Sequence, residues 1–155
     1  MNWSAIGTIA EIVGAIGVIV SLIYLAMQIK QGRADVQSSN FHQISNSFND
    51  LNRQVAGDPA LVRIMNIGFE NYESLDEVDK TQFGMLLLTS LRVYDALYYQ
   101  VQRGTGDLDL WEGELRTLKR FCSMPGPRVW WKENKFQLSA IFMLFFDGLM
   151  NENIT

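Results

Sequence analysis

Apolar residues run almost without interruption from Trp3 to Ile29, and only beyond Lys30 do they thin to a recurrence every three or four positions. As a helix rising about 1.5 Å per residue, the first stretch covers roughly 40 Å, enough to cross a hydrocarbon core of about 30 Å with some tilt. It predicts a transmembrane helix over residues 3–29. A cleaved signal peptide would open on basic residues, carry an apolar core of only about 7 to 15 residues and end at a small-residue cleavage site. Here Asn2 and Trp3 open the chain and the apolar stretch runs on, so the expectation is an uncleaved anchor. Trp3 and Tyr24 stand near its two ends, where amphipathic rings prefer to lie.

Inside this run the side chains sort by face. Alternate steps of three and four give Ser4, Gly7, Glu11, Gly14, Val18, Ser21, Leu25 and Gln28, of which six are small or polar. The other faces carry Ile6, Ile9, Ile12, Val13, Ile16, Ile19, Val20 and Ile23, as lipid requires. Helices in a bilayer associate through close backbone approach at Gly and Ser and through polar groups that find one another. The stripe therefore reads as a helix interface. Glu11, the one charge in the run, marks it for a pathway or a pairing. One chain has one such helix, so the economical partner is a second copy. Carboxylates brought to a common axis repel, and must share protons, bind cations or face water. A ring of Glu on a wet axis selects cations. In a dimer or trimer the same stripe packs dry, and a heteromer would supply an intramembrane Lys or Arg from another membrane protein.

Beyond the run the pattern is helical throughout. Phe41, Ile44, Phe48, Leu51 and Val55 make an apolar stripe across 35–55, separated from the membrane helix by an expected break at Gly32. Asp58-Pro59 starts a helix to about Glu70, with Asp as N-cap and Pro at its first position. Ser74 with Glu77 reads as a capping box for a long helix through Arg103, whose Phe83, Leu86, Leu87, Leu91, Tyr94 and Leu97 supply the main core element. Gly104 and Gly106 end it. A further helix is expected over 110–122, Pro125-Gly126-Pro127 stops it, and the remainder forms one or two helices. The fold class is all-α, one N-terminal transmembrane helix followed by a small multi-helix bundle over 30–155.

Charge adds a direction. Lys30 and Arg33 follow the apolar run directly and nothing basic precedes it but the terminal amine, which places the N-terminus outside and the C-terminal domain in the cytoplasm. The lone cysteine, Cys122, suits a reducing compartment. After residue 29 the chain holds all 13 Lys and Arg and 16 of the 17 Asp and Glu, a formal charge of −3, which argues against nucleic acid as a partner.

Candidate chemistry is sparse, and no catalytic residue, metal site or cofactor is assigned. His42 is the single histidine, which removes multi-His metal sites. The G-x-G at 104–106 lacks a preceding strand and a following Lys-Ser, so it reads as a turn. Glu112 and Glu114 point to different sides of a helix, and Arg92 with Asp95 forms an expected local ion pair. Arg128, Trp130, Trp131 and Lys132 form the densest aromatic and basic group, and have two readings. They rest at the level of lipid headgroups, or one Trp and the Phe residues that follow close the helical core.

The stretches WSAIGTIAEIVGAIGVIVSLIYLAMQIKQ, LNRQVAGDPAL and PGPRVWW together resemble an uncharacterised family of small bacterial single-pass inner-membrane proteins with a cytoplasmic helical domain. The resemblance implies an inner-membrane setting and supplies no activity or site residues. From the residues, the expected function is a homo-oligomeric membrane protein whose Glu11 helices surround a shared axis, as in a small cation channel. The alternative is a membrane-anchored interaction or scaffold protein with a helical partner-binding domain. An enzyme is not expected.

Overall fold

The structure, a computed structural model, describes residues 3–152, with side chains at Glu11 and from Gly14 onward. It is all-α. The helices are α1 (Trp3–Ala56), α2 (Pro59–Glu70), α3 (Glu77–Gln102), α4 (Leu108–Ser123), α5 (Pro125–Asn134) and α6 (Ala140–Glu152). Short 3-10 turns at Tyr72–Ser74 and Lys135–Gln137 join α2 to α3 and α5 to α6. The chain divides into two compact units, one up to Ser38 and one from Ser39 onward.

The expected break at Gly32 is absent, and α1 is helical from Trp3 through Ala56. A glycine inside a helix costs only about 1 kcal/mol against alanine, and Gln31, Arg33 and Ala34 beside it favour helix. In the first unit the described apolar side chains are exposed, Val18, Val20 and Leu22 by about three-fifths.

In the second unit the end of α1 joins the bundle. Ile44 is buried, Phe48 packs on Tyr94 with ring centroids 5.0 Å apart, and the Asn40 amide donates to the Thr105 carbonyl at 3.2 Å. Helix α3 is the central element, with Phe83, Leu87, Leu91 and Leu97 at most 1% exposed. Around it pack Ile64 of α2, Leu118 and Cys122 of α4, and Phe142 and Phe146 of α6.

Caps set the helix starts. The carboxylates of Asp58, Asp76 and Asp107 accept from the amides of Ala60, Asp79 and Leu110, each at 2.8 Å. The cap of α3 is thus Asp76 rather than Ser74, whose hydroxyl instead donates back to the Asn71 carbonyl at 2.7 Å. Leu75 between them is buried, and drawing it into the core leaves Asp76, an equally good cap, at the helix start. Gly104 ends α3 in the left-handed region at φ 69°, a conformation costly for residues with a Cβ.

Arg92 and Asp95 do not pair. Asp95 accepts instead from the Ser139 hydroxyl at 2.6 Å and the Ser139 amide at 2.9 Å, and Ser139 in turn caps α6 through the Phe142 amide at 3.3 Å. A side chain on the central helix therefore fixes where the last helix begins.

Candidate functional site

Two places hold the residues singled out by sequence. The first is the stripe on α1. Among the described residues this is the one helix long and apolar enough to cross a membrane, and from Gly14 its apolar segment is wholly unburied at a mean hydropathy of 1.4. Glu11, Gly14, Val18, Ser21, Leu25 and Gln28 are all exposed; the side chains of Ser4 and Gly7 lie outside the described part. A Cβ at Gly14 or Gly17 would meet nothing within 4 Å, so these positions leave room for another helix to approach. Ser21 satisfies its own hydroxyl by donating to the Gly17 carbonyl at 2.9 Å, which makes it compatible with lipid or with a dry contact. Glu11 is the member of the stripe that carries charge.

The second place is the end of the bundle where α5 meets α6. The stop at Pro125-Gly126-Pro127 is also a start: α4 ends at Ser123 and α5 begins with Pro125 at its first position. Trp130 and Trp131 are each 4% exposed, so both indoles belong to the core and not to a headgroup layer. The reason is packing, since Trp131 lies against Phe146 at 4.4 Å and its indole N–H donates to Asp147 Oδ1 at 2.7 Å. Lys135 donates to the other carboxylate oxygen at 2.8 Å. Partial desolvation pushes the Asp147 carboxyl up, but the hydrogen bonds from Lys135 and Trp131 outweigh it and hold the group below its ordinary range.

Arg128 spans two helix ends, donating through Nη1 to the Cys122 carbonyl at 2.9 Å and through Nη2 to the Met150 carbonyl at 2.5 Å. These carbonyls lie at the negative ends of α4 and α6, where a cation is favoured. Lys132 is exposed and makes no hydrogen bond or ion pair among the described residues. Arg128, Trp131, Lys132, Lys135, Asp147 and Asn151 surround a cleft of about 330 Å³. A second cleft of about 420 Å³ lies between α3 and α5 beside Tyr72, Lys80, Trp130 and Glu133.

No known family, curated protein or solved structure matches the chain. What it can do is therefore read from its own groups. Among the described residues no three His, Cys, Asp or Glu side chains converge to hold a metal ion. His42 is exposed and sits edge-on to Phe41. Tyr94 donates to Glu114 at 3.2 Å, and burial followed by the nearby carboxylate raises its phenol well above the ordinary value.

Cys122 is fully buried, and burial pushes its thiol up to about 12 against a weaker opposing pull from Arg128. Thiolate is the reactive form, so iodoacetamide at pH 8 is expected to label Cys122 at least about 100-fold more slowly in the folded protein than in urea. Mass spectrometry of the labelled fraction checks this, and equal rates would mean that α4 opens readily.

Sequence reading passed over Asp147 as a ligand for Trp131 and Lys135. The helical spacing of 131 and 135 puts the two donors on one side of the α5 end, a usable signal. Their common acceptor is 16 and 12 residues away and is set by packing.

Proposed function

We propose that the protein is a single-pass membrane protein that self-assembles through the Glu11 stripe of α1 around a common axis, and that this axis passes cations. One observation carries the reading: an exposed carboxylate inside an apolar helical segment, on a stripe of Gly, Ser and Gln, with no second helix among the described residues of its own unit. An acidic residue near the middle of a membrane helix costs on the order of 2.5 to 3.5 kcal/mol, which the surrounding Ile, Val and Leu offset on insertion. The helix then inserts with a group that gains from a polar axis. Copies of the stripe facing one another give each Glu11 that axis, and a ring of carboxylates there attracts cations. Lys30 and Arg33 orient the segment with the bundle in the cytoplasm, in an inner membrane. No catalytic step belongs to this reading.

The mass of the solubilised complex, read by native mass spectrometry, tests it. Four or more copies are expected, because fewer single helices do not enclose a pore. In proteoliposomes the Glu11→Gln variant is expected to lower cation flux by about tenfold or more while the bundle stays folded, since a neutral amide removes the ring charge. A monomer or dimer would overturn conduction and leave the chain as a membrane-anchored interaction protein; unchanged flux in Glu11→Gln would remove Glu11 from the path.

A further inference from the structure

We propose that the cleft between α5 and the end of α6 is a binding site for the phosphate of an anionic phospholipid headgroup. The inference rests on the membrane reading above, because it needs lipid within reach of the same chain.

Charge is the first argument. The protein is acidic as a whole, with a formal charge of −4, yet this cleft gathers Arg128, Lys132 and Lys135 against the single carboxylate of Asp147. Each Asp147 oxygen already has a donor, Trp131 on one and Lys135 on the other, and Arg128 offsets two helix ends through its terminal nitrogens. The Lys132 ammonium is therefore the unspent charge, and Lys135 keeps N–H groups beyond the one given to Asp147. An oxyanion seated there accepts from both lysines and from the Asn151 amide. The other cleft sets Glu77 and Glu133 against Lys80 alone and would repel the same group.

Apolar exposure is the second argument and selects the source of the phosphate. Phe136 is 74% and Leu144 76% exposed, the two largest values among the exposed apolar side chains of the bundle. Phe136 follows Lys135 directly in the chain and Leu144 lies one turn before Asp147 on α6, so each stands within a turn of one member of the Lys135–Asp147 ion pair, outside the wall of the cleft itself. Free phosphate has no use for these side chains. A phospholipid does, since its glycerol and upper acyl carbons leave the phosphate on the apolar side, and basic pockets of this kind take anionic headgroups.

The test uses full-length protein in a neutral non-ionic detergent, titrated calorimetrically with dihexanoyl phosphatidylglycerol below its micelle concentration, with dihexanoyl phosphatidylcholine and with inorganic phosphate. Saturable binding of the phosphatidylglycerol is expected, weakened about tenfold or more by Lys132→Glu and severalfold by Leu144→Ser. Arg92→Glu, the same charge change at an exposed position on α3, is expected to leave it unchanged. No saturable binding, equal binding of phosphatidylcholine, or no response to Lys132→Glu would overturn the site. Inorganic phosphate binding as tightly, with no response to Leu144→Ser, would overturn the lipid as its source. Alkaline carbonate extraction of native membranes tests the anchor separately: a chain released by carbonate defeats the membrane reading whatever the titration gives.

Discussion

Replacing Gly126 by alanine is expected to destabilise the bundle by about 3 kcal/mol or more, at the upper end of what overpacking costs. A Cβ at this position would run into the carbonyl oxygen of Gly68 on α2, with the Gly68 carbonyl carbon at 2.8 Å and the Phe69 carbonyl oxygen at 3.2 Å. All three are backbone atoms, which cannot swing aside as a long side chain can. Pro125 and Pro127 fix the chain on either side of Gly126, so α5 has little freedom to retreat. Nor can α2 move easily, because Gly68 is itself pressed against the Phe83 ring in the centre of the core. The contact is a backbone-to-backbone approach of two helices that only glycine allows. The urea midpoint followed by tryptophan fluorescence reads the effect, since Trp130 and Trp131 are buried just beyond the contact. Gly148→Ala is the control: nothing lies within 4 Å of its Cβ position, and helix propensity alone predicts a gain of about 0.5 to 1 kcal/mol. Equal midpoints for Gly126→Ala and wild type would mean that α2 and α5 do not meet in this way.

The second large effect is expected at Phe142, where alanine should cost about 3 to 5 kcal/mol. Phe142 is fully buried, stacked on Phe146 with centroids 5.6 Å apart and set against Tyr98 at 6.0 Å. Tyr98 in turn stacks on Phe145 at 4.4 Å and touches Trp111 at 5.4 Å, so removing the ring empties the junction of α3, α4 and α6. Loss of that junction also frees the turn that Asp95 and Ser139 hold, and α6 is expected to gain amide exchange before α2 does. Phe136→Ala makes the comparison, because an exposed phenylalanine in the Lys135–Gln137 turn before α6 should change stability by no more than about 0.5 kcal/mol. Similar urea midpoints for the two variants would place α6 outside the cooperative core.

Local physics made much of this protein readable in advance. The period of its apolar residues gives an all-α chain with one bilayer-length segment, and Asp58-Pro59 and Gly104 mark a helix start and a helix end where they stand. The Glu11 stripe is legible for the same reason, since helical phase alone puts Glu11, Gly14, Val18 and Ser21 on one line. An amphipathic pattern states which face is apolar and is silent on which neighbour covers it. Burial of Trp130 and Trp131, capture of Asp95 by Ser139 44 residues away, and the meeting of Trp131 and Lys135 on Asp147 were therefore decided by tertiary packing. Packing also drew Ile44 and Phe48, near the end of α1, into the core, whereas α1 runs on through Gly32 for the local reason that its flanking residues favour helix. The sequence by itself determined the helical class, the Asp58 cap and the line of Glu11, Gly14, Val18 and Ser21, because those depend on residues within a turn or two. Only the folded bundle decided which polar groups pair and which cations stay free, because those depend on side chains brought together from distant helices.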